Sequence, residues 1–423
     1  MNCEAALIFY YTKENRNSYN ALAGTMEKYP DIKKINVYFL PNERTLFQKM
    51  PTIFKNHKKV IIGISFSTPQ FWQVKDIVAK LKRLKSPKVI LLAGGPHPTG
   101  DPHTTLRIGF DLVINGEGEE TLLELLHKVI NDEDYSKIKG LSYLNENGDY
   151  IFTGKRDSID INNFYPISEY FFKHGPIEIS RGCPFACGYC QVPHMFGRKP
   201  RHRSIENILD CIKILKRQGS TYYRFVSPNA FSYGSEDGKN INYEKLESLL
   251  SGIRNLVGEK GKIFFGSFPS EVRPEHVNPD TVKILKKYTD NDNLVMGAQS
   301  GSQRILDLIQ RGHDVESIYK AVETVIQAGL KINVDFIFGL PGEADEDIWS
   351  TLKVIKDLNK SGARIHAHAF IPLPQTPLQN EKAGKISQTL KKEFNKLCSN
   401  GIIYGEWRKQ EKTAAKITAK LWN

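Results

Sequence analysis

Three cysteines that lie close together in the sequence have the clearest capacity for chemistry. Cys183, Cys187 and Cys190 form a C-x3-C-x2-C segment. Thiolates are the usual ligands of iron–sulfur clusters, and a fully ligated [4Fe-4S] cluster normally takes four of them. Three thiolates on one short loop hold three irons and leave the fourth iron open to another ligand. The spacing therefore predicts a catalytic [4Fe-4S] cluster whose metal ligands are these three cysteines.

Other uses of the three cysteines fit the spacing less well. Zinc prefers four tetrahedral ligands, usually as two separated pairs. His194 offers a fourth ligand, so a zinc site or a closed cluster stays open as an alternative. A disulfide framework would spread its cysteines along the chain and needs an oxidising compartment. The other cysteines are scattered and are interpreted as ordinary thiols: Cys3, Cys211 and Cys398.

Length and composition are those of an ordinary globular protein. The chain has 423 residues, of which 40% are hydrophobic and 25% charged, and this length favours two or three domains. No segment approaches the roughly 20 consecutive apolar residues that cross a bilayer. The apolar run from Ala5 to Tyr11 has no basic segment before it, so it predicts a buried strand and not a signal peptide. We therefore expect a cytoplasmic protein without a membrane partner.

Residues 1–132 alternate strand signals with helical stretches. The strand signals are continuous apolar runs, as expected for parallel strands covered on both faces, and they lie at 5–11, 37–40, 60–67, 88–95 and 111–114. This pattern predicts a doubly wound, Rossmann-like α/β domain. Residues 133–172 predict a β-hairpin that turns at Asn147-Gly148, followed by a linker.

Residues 173–383 alternate strands and helices a second time. The strand signals lie at 177–179, 222–226, 262–267, 294–298, 332–338 and 363–371. Such a series predicts a partial (β/α)6 barrel, related to the (β/α)8 TIM barrel. The cysteine segment follows the first of these strands, at the end of the barrel where active sites lie. Residues 384–423 are rich in lysine and predict a C-terminal helical extension.

Over residues 173 to 380 the chain resembles the radical S-adenosylmethionine (SAM) superfamily. The resemblance rests first on the cysteine segment, with Tyr189 before its last cysteine. It implies that SAM chelates the open iron through its amino and carboxylate groups. It also implies that an electron, delivered by a donor such as ferredoxin or flavodoxin, cleaves SAM to methionine and a 5′-deoxyadenosyl radical.

The same resemblance implies roles for residues at the ends of the barrel strands. Tyr189 would pack near the adenine, Gln299 and Ser300 would contact the methionine and ribose parts of SAM, and Phe338 and Gly339 would back the adenine. Glu271 and Arg273 resemble polar ligands at the barrel mouth, with a solvated ion pair as the plain alternative. Where relatives carry Gly-Gly-Glu for the SAM amino group, this chain has Pro228-Asn229, so Asn229 is the substitute. For two further features the sequence leaves open whether they contact a ligand or only pack within the protein. They are the basic run Gly197 to Arg203 and the pair His366 and His368.

The N-terminal domain resembles the cobalamin-binding domain of one radical SAM subfamily. Ser65, Gly94 and Gly95 match its serine-containing and Gly-Gly segments, at the carboxyl ends of strands where sites in such sheets lie. The Asp-x-His-x-x-Gly segment that supplies a histidine to cobalt is absent, because the stretch from Thr12 to Ser18 has no histidine. Cobalamin would then bind without a protein ligand or would not bind.

These observations lead to a radical SAM enzyme, with cobalamin-dependent methyl transfer to an unactivated carbon as its reaction if cobalamin binds. A methylthiotransferase acting on tRNA or protein is one alternative, although such relatives carry three more cysteines in the N-terminal domain. A non-catalytic iron–sulfur protein for electron transfer or sensing is the alternative from another class. The net charge of +12 is compatible with nucleic acid, anionic lipid or an acidic substrate. Nucleic acid is not favoured, and the substrate is not readable from the sequence.

Overall fold

The computed structural model describes residues 5–29, 31, 34–84, 86, 89–384 and 387–421. The chain divides into two compact units, unit 1 at Met1–Gly175 and unit 2 at Pro176–Asn423. The segment predicted as hairpin and linker, 133–172, falls in unit 1, and the predicted extension 384–423 falls in unit 2. Cys3 and Lys88, the first residue of the predicted fourth strand, lie outside the described residues.

Unit 1 is built on a seven-stranded sheet with the order β2-β1-β3-β4-β5-β6-β7. The five strands from β1 to β5 are parallel, and β6 and β7 add an antiparallel hairpin at one edge. Every residue of the first strand is buried, as expected for a strand with helices on both faces. The strands are β1 (Ala5–Tyr10), β2 (Ile35–Leu40), β3 (Lys59–Ser65), β4 (Val89–Gly94), β5 (Leu112–Ile114), β6 (Leu141–Leu144) and β7 (Tyr150–Phe152).

The helices of unit 1 connect the parallel strands. Their apolar faces pack on the sheet and form a core with Leu7, Phe9, Leu122 and Leu125 near its centre. The helices are α1 (Arg16–Met26), α2 (Glu43–Asn56), α3 (Phe71–Lys82), α4 (Pro96–Gly100), α5 (Pro102–Arg107) and α6 (Glu119–Ile130), with short 3-10 helices at Thr68–Gln70 and Ile161–Asn163.

Unit 2 contains the strands of a partial barrel. Three parallel strands have the order β12-β11-β8, and four have the order β13-β14-β15-β16. A parallel bridge between Val272 and Met296 joins the two groups, so the strands follow one another around the barrel in chain order. The strands are β8 (Ile177–Glu178), β9 (Ser180–Arg181), β10 (Arg201–His202), β11 (Tyr222–Val226), β12 (Lys262–Phe264), β13 (Asn293–Gln299), β14 (Lys331–Phe338), β15 (Arg364–Ala369) and β16 (Ile403–Tyr404).

Helices cover the outer face of this barrel. Along β14 the residues Ile332, Val334 and Phe336 are completely buried, and they alternate with Asn333 and Asp335 on the inner face. The helices are α7 (Val192–Phe196), α8 (Ile205–Arg217), α9 (Tyr243–Val257), α10 (Pro279–Tyr288), α11 (Gln303–Leu308), α12 (Val315–Gln327), α13 (Asp345–Lys360), α14 (Gln388–Ser399) and α15 (Trp407–Lys420), with 3-10 helices at Ala230–Ser232 and Pro274–His276.

The predicted fold class is confirmed in both parts. Unit 1 has the parallel, doubly wound sheet, and unit 2 has the parallel strands of a partial (β/α) barrel. In the described part of the chain, none of the helices combines the length and apolar character needed to cross a membrane.

The packing of α1 gives a stability test. Gly24 lies inside this helix, and a Cβ there would lie 2.2 Å from the Ile167 carbonyl oxygen and 2.3 Å from that of Tyr165. We therefore expect Gly24→Ala to lower the free energy of unfolding by roughly 1–3 kcal/mol, because backbone must move. The matched control is Gly252→Ala in α9, where the nearest atom to the new Cβ would be 3.7 Å away. This variant should have a free energy of unfolding up to about 1 kcal/mol higher, because alanine has the higher helix propensity. Denaturant titration measures both, and a neutral Gly24→Ala would contradict the packing described.

Candidate active site

A small antiparallel pair closes the loop that carries the three cysteines. Arg181 of β9 pairs with Arg201 of β10, so the loop leaves and re-enters the barrel at one point. Gly182 has a φ of 86°, and a Cβ there would lie 2.7 Å from the Lys199 carbonyl oxygen. Only glycine combines this left-handed conformation with such a close approach. The loop is therefore held at both of its ends.

Backbone hydrogen bonds fix the interior of this loop. The Cys183 N–H donates to the Gly197 carbonyl (3.1 Å), and the Cys190 N–H donates to that of Cys187 (3.0 Å). Gly188 donates to Ile309 (2.9 Å), which ties the loop to the end of α11. All three cysteines are free thiols.

The protein environment does not favour thiolates when the loop holds no iron. Burial raises the pKa of Cys183 and raises the pKa of Cys190 to about 12, and ionised neighbouring cysteines raise both pKa values further. Three thiolates at this site therefore need positive charge from bound iron. The donor set fits the three-cysteine side of a [4Fe-4S] cluster, since free cysteines from one anchored loop are its usual ligands.

Two buried arginines lie beside the cysteine loop. Arg311 places Nη1 3.6 Å from Cys187 Sγ and donates from Nη2 to the Gly297 carbonyl at 2.6 Å. The Arg273 guanidinium lies 3.4 Å from the centre of the Phe185 ring within the loop and forms an ion pair with Glu275. The interpretation of Glu271 and Arg273 as one solvated ion pair is therefore wrong, because Arg273 is 3% exposed and pairs with Glu275 instead.

Several buried polar atoms in unit 2 have no hydrogen-bond partner among the described residues. They include Arg311 Nε, His313 Nε2 and Glu343 Oε1. A buried polar atom without a partner costs about 1–3 kcal/mol. The other carboxylate oxygen of Glu343 accepts the Gly339 N–H at 2.7 Å, so Gly339 and Glu343 form one polar turn at the end of β14. These orphaned atoms fit a site that receives a polar ligand such as SAM.

An apolar cluster lies next to Tyr189 on the loop. Tyr189 packs with Ile337 and Leu378 against Ile305, Ile309, Leu340 and Phe370. That Phe338 backs the adenine stays a prediction, and its side chain lies away from this cluster. The Phe338 ring packs 4.6 Å from that of Phe394 in α14, on the outer face, and the alternation of side chains along β14 turns Ile337 inward instead.

The segment after β13 is packed within the protein. Ser300 is completely buried, and its hydroxyl lies 3.3 Å from the Thr351 hydroxyl of α13. The side chain of Ser300 therefore joins β13 to the outer helix, and its SAM contact stays a prediction. Gln299 has a φ of 74°, and its Nε2 would lie 2.5 Å from a Cβ on Gly297. Gln299 thus turns back over Gly297, on the same side as Arg311.

Asn229, predicted as the substitute for an acidic residue, makes hydrogen bonds within the protein, and its SAM contact stays a prediction. Its Nδ2 lies 2.5 Å from Nδ1 of His276, and its Oδ1 accepts the Arg273 N–H at 3.4 Å. Both polar atoms of the side chain are engaged within the protein, and the residue is 3% exposed. The structure therefore gives Asn229 a role in joining β11 to the turn at Arg273.

The inner face of the barrel carries a polar cluster that could be predicted only in part from the sequence. The cluster consists of Glu271, Asp335, His366 and His368. His366 Nδ1 lies 3.1 Å from Asp335 Oδ1, and the two imidazole rings are 4.2 Å apart. Burial and the charge of Asp335 raise the pKa of Glu271 to about 7. Asp335, His366 and His368 place potential ligand atoms within 4.8 Å of one another, but Nδ1 of His368 already faces the Gln410 amide at 3.3 Å.

The basic run after the cysteine loop divides into exposed and structural residues. Arg203 is 2% exposed and donates to the Glu178 carbonyl (2.9 Å) and to Asn207 (2.9 Å). Arg198 is exposed and donates to the Pro184 carbonyl at 3.2 Å. Arg203 therefore supports the fold, and Arg198 braces the start of the loop from outside. His194, the alternative fourth ligand, is exposed on α7.

In unit 1 the predicted cobalamin residues meet at the carboxyl edge of the sheet. Gly94 ends β4 next to Ser65 of β3, and a Cβ on Gly94 would meet no atom within 4 Å. Gly95 has a φ of 91°, and a Cβ there would lie 2.6 Å from Ser65 Oγ. Gly95 is thus required by the turn, and Gly94 faces open space that a flat ligand can approach.

The residues below this edge are already engaged. Asn15 donates to the carbonyls of Tyr10 and Ser65, each at 2.9 Å, and the Tyr19 hydroxyl donates to the Gly63 carbonyl at 2.7 Å. His97 is completely buried, and its Nε2 has no partner among the described residues. Burial lowers its pKa to about 4. The edge fits a ligand above Gly94 and supplies no histidine from the first loop.

Comparisons with known proteins agree with this two-part arrangement. Residues 177–355 match the family model of the Radical SAM superfamily, and residues 27–126 match that of the B12 binding domain. The fold and the three-cysteine loop thus define an iron–sulfur enzyme built from a B12-binding-type unit and a partial barrel. The chain therefore contains a radical SAM domain and a B12-binding domain, and the predicted resemblance is confirmed.

Individual relatives support the same grouping. An uncharacterized methyltransferase of Pyrococcus horikoshii is 28% identical over 331 residues, which cover 75% of this chain and 68% of that protein. A tRNA-2-methylthio-N(6)-dimethylallyladenosine synthase of Desulforamulus reducens is 35% identical over 191 residues, covering 44% of this chain and 40% of that protein. The solved structure of the methyltransferase TsrM from Kitasatospora setae, with cobalamin and a [4Fe-4S] cluster bound, has a TM-score of 0.68 at 14% identity and covers 89% of this chain and 74% of that chain. At that identity the likeness shows a shared fold.

The radical SAM match, which includes the cysteine loop, decides between the alternatives for the cysteines. The protein is an enzyme with a [4Fe-4S] cluster and SAM, and the zinc, closed-cluster and non-catalytic alternatives are set aside. Sequence reasoning missed Arg311, which lies 124 residues from Cys187 in the chain. Only its place after the Gln299 segment could have drawn attention to it.

The cysteine assignment has a direct test. Replacing Cys183, Cys187 or Cys190 by alanine removes one of three ligands from a cluster that has no fourth cysteine. We expect iron and sulfide contents near background after anaerobic reconstitution, measured by chemical analysis and absorption at visible wavelengths. Cys398→Ala, in α14, is the matched control and should keep the full cluster. Full iron in any of the three loop variants would contradict the assignment.

Glu271 gives a prediction for the pH dependence of stability. Its folded-state pKa of about 7 lies above the ordinary value of 4.5, so the folded state holds the proton more tightly. Stability is therefore lost as the pH rises from about 4.5 to about 7. Between pH 5 and pH 8, we expect the free energy of unfolding of Glu271→Gln to rise by roughly 1–3 kcal/mol relative to that of the wild type.

Denaturant titrations at several pH values measure this difference. Glu316→Gln, an exposed residue of α12, is the control and should follow the wild-type curve. Parallel curves for Glu271→Gln and wild type would contradict the raised pKa.

Proposed function

We propose that this enzyme is a cobalamin-dependent radical SAM methyltransferase. The observation that carries the proposal is the pairing, in one chain, of the three-cysteine loop with a B12-binding unit whose Gly94 faces open space. When bound, cobalamin supplies a methyl carrier, and SAM supplies the methyl group and the 5′-deoxyadenosyl radical. The cofactors carry the difficult chemistry, and the protein binds, orients and shields them.

In unit 2 the residues of the barrel mouth would hold SAM. Tyr189 and Ile337, within one apolar cluster, offer a surface for the adenine. The orphaned atoms of Arg311 and Glu343 offer polar contacts, and the open iron takes the amino and carboxylate groups. An electron donor such as ferredoxin or flavodoxin would reduce the cluster.

In unit 1 the carboxyl edge of the sheet would hold cobalamin. Ser65, Gly94 and Gly95 are the nearest candidates, and Asn15 lies in the stretch from Thr12 to Ser18, which has no histidine. Asn15 is fully used in joining β1 to β3. This stretch would therefore supply no histidine to cobalamin.

The inner polar cluster is the place for the substrate. His366 is 31% exposed on its side chain, and its ring is stacked on that of Tyr404 at 4.8 Å. Asp335 holds its Nδ1, so Nε2 can face a bound molecule. A substrate with a planar or hydrogen-bonding group would find both surfaces there.

A methylthiotransferase is the second candidate, and the similarity to the Desulforamulus reducens synthase favours it. The cysteine content opposes it, because Cys3 is the single cysteine of unit 1. That number cannot supply the three ligands of a second cluster. Methyl transfer therefore remains the better-supported proposal.

The cobalamin part of the proposal can be tested at Gly94. Because the space beside Gly94 is open, Gly94→Trp should fold normally and fill the place of the corrinoid. We expect no cobalamin absorption after gel filtration of Gly94→Trp, with its iron content unchanged. Gly94→Ala should bind cobalamin as the wild type does. Equal binding by Gly94→Trp would exclude this edge as the site, and no binding by wild type would exclude the methyltransferase proposal.

A separate experiment tests radical formation. Reduced, anaerobic protein mixed with SAM should yield 5′-deoxyadenosine and methionine, measured by liquid chromatography and mass spectrometry. The cysteine variants should yield neither product.

A further inference from the structure

Arg311 is held in a fixed position between the cysteine loop and the barrel interior. It follows α11 and is 8% exposed. Its Nη2 donates to the Gly297 carbonyl (2.6 Å) while Nη1 faces Cys187 Sγ (3.6 Å). Gly297 makes this possible, because a Cβ on it would lie 3.0 Å from Nη2. The carbonyl of Arg311 accepts a hydrogen bond from Arg273, so the backbone and the side chain of Arg311 are both anchored.

Among the described residues, Arg311 shares the ionised carboxylate of Glu275 with a second cation. Glu275 forms its ion pair with Arg273. Glu271, whose carboxylate lies on the same side of Gly297, is about half protonated at neutral pH because its pKa is about 7. Burial and the Arg311 charge lower the pKa of Arg273, so two cations share this region. A buried guanidinium without an anion is strongly unfavourable.

An iron–sulfur cluster on the cysteine loop would supply further negative charge beside Arg311. Three thiolates give the ligand shell negative charge, and reduction adds one more electron to the cluster. Hydrogen bonds to the sulfurs and nearby charge are among the main determinants of cluster reduction potential. A donor 3.6 Å from Cys187 Sγ is within reach of a thiolate acceptor.

We propose that Arg311 is a positioning residue that raises the reduction potential of the cluster. Its Nη1–H donates to the Cys187 thiolate, and its positive charge stabilises the reduced state more than the oxidised state. One electron enters the cluster from the external donor, and Arg311 stays protonated throughout. Arg311 would thereby set how readily the cluster accepts the electron that later cleaves SAM.

Redox titration of the reconstituted protein, without SAM, cobalamin or substrate, tests the proposal. Arg311→Met removes the charge and the donor. At a fixed potential, the ratio of reduced to oxidised cluster should fall roughly tenfold, which for one electron is a midpoint about 59 mV more negative. Electron paramagnetic resonance measures the reduced fraction. Arg311→Lys keeps the charge and should show a smaller fall, and Arg408→Met, which removes an exposed arginine of α15, should match wild type.

The outcomes separate tuning from a purely structural role. A wild-type midpoint in Arg311→Met with full iron would overturn the proposal, and so would an equal fall in Arg408→Met. If Arg311→Met assembles no cluster, Gly297→Ala displaces the guanidinium while keeping its charge, and its midpoint should again be more negative. An unchanged midpoint in Gly297→Ala would then overturn the proposal. Failure of cobalamin binding or of methyl transfer would leave these measurements unaffected.

Discussion

The structure of unit 2 depends on how opposite charges are balanced at a buried site. Burial makes free thiolates unfavourable, and it makes two neighbouring guanidinium groups unfavourable as well. The same site contains both, with Cys187 facing Arg311 and Arg273 against the loop's Phe185. Each set of charges becomes tolerable when the other is present. Iron bound by the loop therefore completes an arrangement that the polypeptide alone leaves unbalanced.

Much of the fold could be predicted from the sequence because strands covered on both faces read as continuous apolar runs. The runs at Ala5–Tyr10 and Lys59–Ser65 became neighbouring strands of one sheet, and the barrel strands followed in order. The cysteine loop could be predicted because its residues are adjacent in the chain. Its chemistry needs no knowledge of distant parts.

The rest depended on side-chain direction and on contacts between distant segments. A one-residue step along β14 exchanges the inner and outer faces, which is why Ile337 and not Phe338 lies beside Tyr189. Ser300 turned outward to Thr351 for the same reason. Arg311 and Cys187 come together only through the barrel closure, and no local pattern encodes that meeting. Family resemblance located the right segments but could not decide which atom of each segment faces the ligand.

The short pairing of β9 with β10 has a consequence for how the metal is acquired. The loop is tied at its base by that pairing and along its length by main-chain hydrogen bonds to Gly197 and Ile309. The main chain of the loop is therefore held by contacts that do not involve iron. The cluster can then be inserted into a protein that is already folded. The folded, metal-free protein should therefore be able to accept a cluster from the cell's iron–sulfur delivery proteins.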